Sequence, residues 1–130
     1  MKYLVACPLP TSHFLEITLT ISEVSESQLT LQQPSWRPGR YEMQDFAKNI
    51  FSIEATNAQE KALTLTKITK DKWVIETAGA TEVWVKYRYY ANQMDAGGSY
   101  VDEQQVYINW ITCGSLVEER AMAAINIELE

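Results

Sequence analysis

The stretch His13-Phe14-Leu15-Glu16-Ile17-Thr18-Leu19-Thr20-Ile21-Ser22 alternates without a break. Leu15, Ile17, Leu19 and Ile21 fall at every second position, with Glu16, Thr18, Thr20 and Ser22 between them. A helix, at 3.6 residues per turn, would scatter those four aliphatics around its circumference. A strand collects them on one face, where each stabilises by roughly 1.5–3 kcal/mol when fully buried. The reading is therefore a half-buried β-strand.

Working outward, the same period returns. Leu29 and Leu31 alternate with Gln28 and Thr30, and Phe51, Ile53 and Ala55 with Ser52, Glu54 and Thr56. Leu63 and Leu65, Trp73 and Ile75, and Val83, Val85, Tyr87 and Tyr89 follow, then Val106 and Ile108, and finally Ile125, Ile127 and Leu129. Turn-forming residues punctuate the series at 25–27, 57–60, 70–72 and 78–80. About eight short, mostly antiparallel strands joined by short turns predict an all-β sandwich.

Two segments break the pattern. In Gln33–Asn49, Pro38-Gly39 dictates a tight turn, because Pro fixes φ and Gly accepts positive φ. Met43, Phe46 and Ala47 then have helical spacing, which predicts one short helical turn. The second break, Asn92–Glu103, is a polar loop containing Gly97-Gly98.

A chain of 130 residues suits one domain, 1–130, with one sizeable core. Its net charge of −6 excludes a nucleic-acid partner, which would require a basic face. Cys7 and Cys113 allow at most one disulfide, and a reduced pair fits the composition equally well. Leu4-Val5-Ala6-Cys7 has the look of a lipoprotein cleavage site, but its apolar run is shorter than the roughly 7–15 residues of a signal core. No run approaches the roughly 18–20 apolar residues that span a bilayer. A soluble, cytoplasmic protein without a membrane partner is the expectation. The alternation of Ile125–Glu130 stops with no closing turn, which points to a domain cut from a longer chain.

The side chains suited to catalysis are sparse. His13 is the only histidine, so a His-Glu-x-x-His zinc site is missing, and a serine or cysteine triad would have to use His13, a role that nothing in the sequence supports. It reads as a strand-start residue with a local hydrogen bond. Asp95, Asp102 and Glu103 share a loop, yet such clusters are mostly solvated surface, and calcium-loop spacing is missing. Trp84, between Glu82 and Lys86, marks either a contact surface or packing under a loop.

The stretch Trp36-Arg37-Pro38-Gly39-Arg40-Tyr41-Glu42-Met43-Gln44-Asp45-Phe46-Ala47-Lys48-Asn49-Ile50 resembles a Trp-x-Pro-Gly-Ser-Tyr-x-x-Arg-Asp-Phe-Ala-x-Asn-Ile signature. That signature belongs to the N-terminal domain of the glycyl aminopeptidase family of zinc metallopeptidases. Tyr87–Ala91, Asp95–Tyr100 and Val106–Asn109 resemble the second landmark of the same domain. Arg40 stands where the family has Ser, and Gln44 where it has Arg, so the charge beside the Pro-Gly turn differs.

The resemblance implies a non-catalytic β-sandwich in front of a thermolysin-like zinc domain, often with a PDZ-like module after it. The zinc would belong to that catalytic domain, with no metal or catalytic residue in this chain. The implied partner is the catalytic domain of the same polypeptide, with peptide substrate at its edge. Trp36, Arg37, Arg40, Tyr41, Asp45, Asp95, Tyr100, Asp102, Glu103 and Asn109 are the candidate contacts. The alternative is a free-standing β-sandwich module that binds carbohydrate or protein.

Overall fold

In a computed structural model, residues 1–33, 46–92, 99–108, 110–120 and 125–129 are described. They form β1 (Lys2–Ala6), β2 (Phe14–Ile21), β3 (Gln28–Gln32), β4 (Ile50–Asn57), β5 (Ala62–Leu63) and β6 (Leu65–Thr69). Then come β7 (Lys72–Glu76), β8 (Val83–Tyr90), β9 (Tyr100–Val101), β10 (Val106–Tyr107), β11 (Leu116–Val117) and β12 (Asn126–Leu129). One sheet has the order β12-β1-β2-β8-β4-β5, a second β11-β3-β7-β6, and β9 pairs with β10. Every pairing is antiparallel except that of β12 with β1. The all-β class and the antiparallel bias follow the period-two reading. The strand count exceeds the eight expected because two-residue strands carry no periodicity.

The core lies between the two larger sheets. Leu15, Ile17, Leu19 and Ile21 are buried in it, as the alternation predicts. Opposite them, Leu29, Leu31, Trp73, Ile75 and Val117 come from the second sheet. Two tyrosine hydroxyls bind the layers together: Tyr3 donates to Ser115 O, and Tyr87 to Cys113 O at 2.6 Å. Both carbonyls belong to the segment that leads into β11, so the clamps hold the second sheet's edge against the first. Burial pushes the Tyr3 phenol up to about 12 and raises that of Tyr87 as well.

The expected turns form with identifiable chemistry. Asn57 Oδ1 accepts from the N–H groups of Gln59 and Lys61, both at 2.9 Å, which leaves Glu60 in the left-handed region at φ 62°. Ala78 and Gly79 both take positive φ and Ala80 N–H donates to Thr77 O at 2.9 Å, the geometry of a type I′ turn. The helical turn expected near Met43, Phe46 and Ala47 is the 3₁₀ turn Phe46–Asn49; Met43 lies outside the described residues. The 3₁₀ turns Pro10–Ser12 and Glu118–Arg120 and the α-turn Trp110–Cys113 accompany it.

Two local expectations change. Phe51 does not share a face with Ala55, because a bulge shifts the register between Phe51 and Glu54, with Ser52 at φ 54°. Phe51 pairs with Arg88 on the outer face and Ala55 with Val85 on the inner one. Ile125, Ile127 and Leu129 are exposed rather than half-buried. Cys7 and Cys113 are not joined in a disulfide, one of the two states the sequence left open.

Candidate functional site

His13 ends the turn Pro10–Ser12 in the left-handed conformation, φ 62°, and immediately precedes β2. This kink turns its ring across the end of the six-stranded sheet instead of along the strand. Nδ1 donates to Val101 O at 2.5 Å; a carbonyl can only accept, so the proton is on Nδ1. The bond reaches across 88 residues, not the local partner expected from the sequence. In return, Ala91 N–H donates to His13 O at 2.7 Å and Val101 N–H to Ala91 O at 3.0 Å. His13 thereby fastens the β9–β10 hairpin to the ends of β2 and β8.

Asp102 organises the hairpin tip. One carboxylate oxygen accepts from Gln104 N–H and Gln105 N–H, each at 2.8 Å, and the other accepts from the Tyr100 hydroxyl at 3.0 Å. The two backbone donors hold its carboxyl below the ordinary value, while the bond to Asp102 raises the Tyr100 phenol. Thr11, His13, Asp102, Glu103 and Gln104 line an open cleft of about 320 Å³.

On the outer face beside this cleft lies an aromatic cluster. Phe14 meets Phe51 edge-on at 5.6 Å and Tyr90 at 5.2 Å, and the Arg88 guanidinium lies 4.0 Å over the Phe14 ring. His13 contacts Tyr90 and Tyr100 at 6.2 and 5.6 Å. The β4 bulge makes this possible by turning Phe51 outward, where it is 46% exposed.

Of the candidate contacts, Tyr100, Asp102 and Glu103 are thus brought to one hairpin. Trp36, Arg37, Arg40, Tyr41, Asp45, Asp95 and Asn109 lie outside the described residues. Sequence reasoning passed over His13, Phe14, Phe51 and Tyr90 as site members. Phe14 and Tyr90 were detectable as aromatics on the polar side of their strands, whereas Phe51 was hidden by the bulge. Trp84, also on that side, is half-buried between Thr20 and Thr56, donates to Glu82 Oε1, and carries Lys86 at 6.0 Å over its ring.

Several polar groups of the cleft are committed within the fold. Asp102 spends both oxygens on its own hairpin and His13 spends Nδ1 on a carbonyl. Among the described residues, no group of three or more His, Cys, Asp and Glu stands close enough to hold a metal ion. With a single histidine, the donor set of this chain does not fit the two-His-one-carboxylate zinc site of such a peptidase.

Residues 2–130 match the family described as the peptidase M61 N-terminal domain. The chain belongs to that family. A crystal structure of an aminopeptidase N family protein from Idiomarina loihiensis has the same fold, with a TM-score of 0.89 at 26% identity. The match covers 99% of this chain and 22% of that one. No curated protein matches the chain. As an M61 N-terminal domain, it has the β-rich architecture and the family kinship that the Trp36–Ile50 signature implied. Among the described residues, no helix is long and apolar enough to cross a membrane.

Proposed function

We propose that this chain is the non-catalytic N-terminal domain of a zinc-dependent aminopeptidase preferring small N-terminal residues, and that it packs against and supports a catalytic domain of the same polypeptide. The observation that carries the reading is one of proportion. The family match spans 2–130, and the same fold fills only 22% of a solved aminopeptidase N family chain. The domain is then one compact part of a much longer protein, 1–130 its extent, and the hydrolytic zinc and its ligands belong to the remainder. There the metal would polarise the scissile carbonyl and activate water. The residues here contribute a rigid wall: Tyr100, Asp102 and Glu103, held by His13, would form the edge nearest the substrate. A cytoplasmic location goes with the same reading.

The test compares peptidase activity of the 130-residue chain with that of the full-length polypeptide on small aminoacyl substrates, with and without a zinc chelator. Activity confined to the full-length protein and abolished by the chelator supports the reading. Cleavage by the short chain, or none by either, overturns it.

A further inference from the structure

The six-stranded sheet continues beyond the core that covers it. In the β12–β1 pairing, Ile127 is level with Tyr3 and Leu129 with Val5, and paired residues of adjacent strands share a face. Tyr3 and Val5 are buried, so Ile127 and Leu129 extend the inner, core-facing layer by one strand. Yet Ile125, Ile127 and Leu129 are 49%, 42% and 74% exposed. The opposite face of β12 is polar, with Asn126 and with Glu128 paired to Lys2 at 3.2 Å. An edge strand facing only water usually carries charge on its open side, as protection against association. Here polar residues line the outer side and aliphatics line the side that sheet packing would normally bury.

Resting on the reading of this chain as a domain of a longer peptidase, we propose that the inner face of β12 is where the polypeptide following this domain docks. Two observations argue for this occupant: the family is described as an N-terminal domain, which puts further chain after β12, and the matched fold fills only 22% of the solved relative's chain. The following domain completes the core layer by covering Ile125, Ile127 and Leu129. The β9–β10 hairpin is then a secondary contact.

Hydroxyl-radical footprinting of the wild-type full-length polypeptide tests this without a variant. Ile68, 52% exposed on β6 of the other sheet, serves as an internal reference of similar chemistry. The expected result is labelling of Ile127 and Leu129 several-fold below that of Ile68, unchanged on dilution. Equal labelling overturns the proposal. Protection lost on dilution identifies a second copy as the occupant and also overturns it. If Phe51 and Tyr100 are protected while β12 is not, the domain docks at the His13 end: this inference falls and the supporting role stands. If neither region is protected, both fall.

Discussion

Gly114 lies in the segment between the two tyrosine clamps, with Cys113 O accepting from Tyr87 and Ser115 O from Tyr3. Its N–H donates to Trp110 O at 2.7 Å, closing the α-turn. A Cβ built on Gly114 would stand 2.3, 2.5 and 2.7 Å from Cε2, Nε1 and Cζ2 of Trp110. The φ of Gly114 is not positive, so the conflict of Gly114→Ala is purely steric. The indole cannot simply swing aside, since it meets the buried Tyr3 ring edge-on at 5.0 Å. Overpacking of this kind costs about 1–3 kcal/mol. At ~2.1 cal/mol/K per residue, unfolding 130 residues carries about 0.27 kcal/mol/K, so each kcal/mol moves the midpoint by about 4 °C. Thermal unfolding followed by circular dichroism should therefore show Gly114→Ala melting about 4–11 °C below wild type. In a Trp110→Leu background the obstructing ring is gone, and the same substitution should cost less than about 1 kcal/mol. An unchanged midpoint, or a full penalty that persists in the Trp110→Leu background, would refute the steric argument.

Other perturbations test separate parts of the fold. Leu19→Ala, at a fully buried position in the middle of β2, should lower stability by about 2–5 kcal/mol in denaturant melts. Glu26, bonded by the Arg120 guanidinium, is held at about 2 against an ordinary 4.5. A depressed carboxyl stabilises above its unfolded value and loses that contribution as pH falls from about 4.5 towards about 2. The melting midpoint of Glu26→Gln should accordingly fall less steeply than wild type across that window. Tyr3, raised from 10 to about 12, has the opposite sign: its contribution is present below pH 10 and lost as pH climbs towards 12. Tyr3→Phe should flatten that alkaline decline in the same assay, while also lowering the midpoint at neutral pH through the lost bond to Ser115 O.

What was legible in the sequence is what period two encodes. Leu15 to Ile21 and Val83 to Tyr89 alternate cleanly because one face is buried and the other is not, and both strands form as read. Phe51 escaped because one extra residue on β4, at Ser52, reverses every later side chain relative to it. Leu63 and Leu65 look like one strand, yet Leu63 pairs with Ala55 in the first sheet and Leu65 with Ile75 in the second. The chain changes sheets at Thr64, whose carbonyl accepts from Glu76 N–H at 2.9 Å, and no local pattern encodes such a crossing. At the site, Tyr100, Asp102 and Glu103 were legible as a break in periodicity. The part of His13 was not, since its partner lies 88 residues away and its placement depends on a left-handed turn.

The two outward-looking features of the first sheet are geometrically connected. Val5 pairs with Leu129 on one side and with Ile17 on the other, so Leu129 is level with Ile17. Because β12 is parallel to β1 and β2 antiparallel to it, the chain direction of β12 points towards the start of β2. His13 lies four residues beyond Ile17 in that direction, a distance of about 13 Å at the rise of a strand. Under the proposed docking, a body seated on Ile127 and Leu129 would lie on the flank of the sheet that leads to the His13–Asp102 cleft. In that arrangement the attachment of the β9–β10 hairpin to β2 and β8 through His13 would have a mechanical reason: a wall that a neighbouring domain leans on must not move with it.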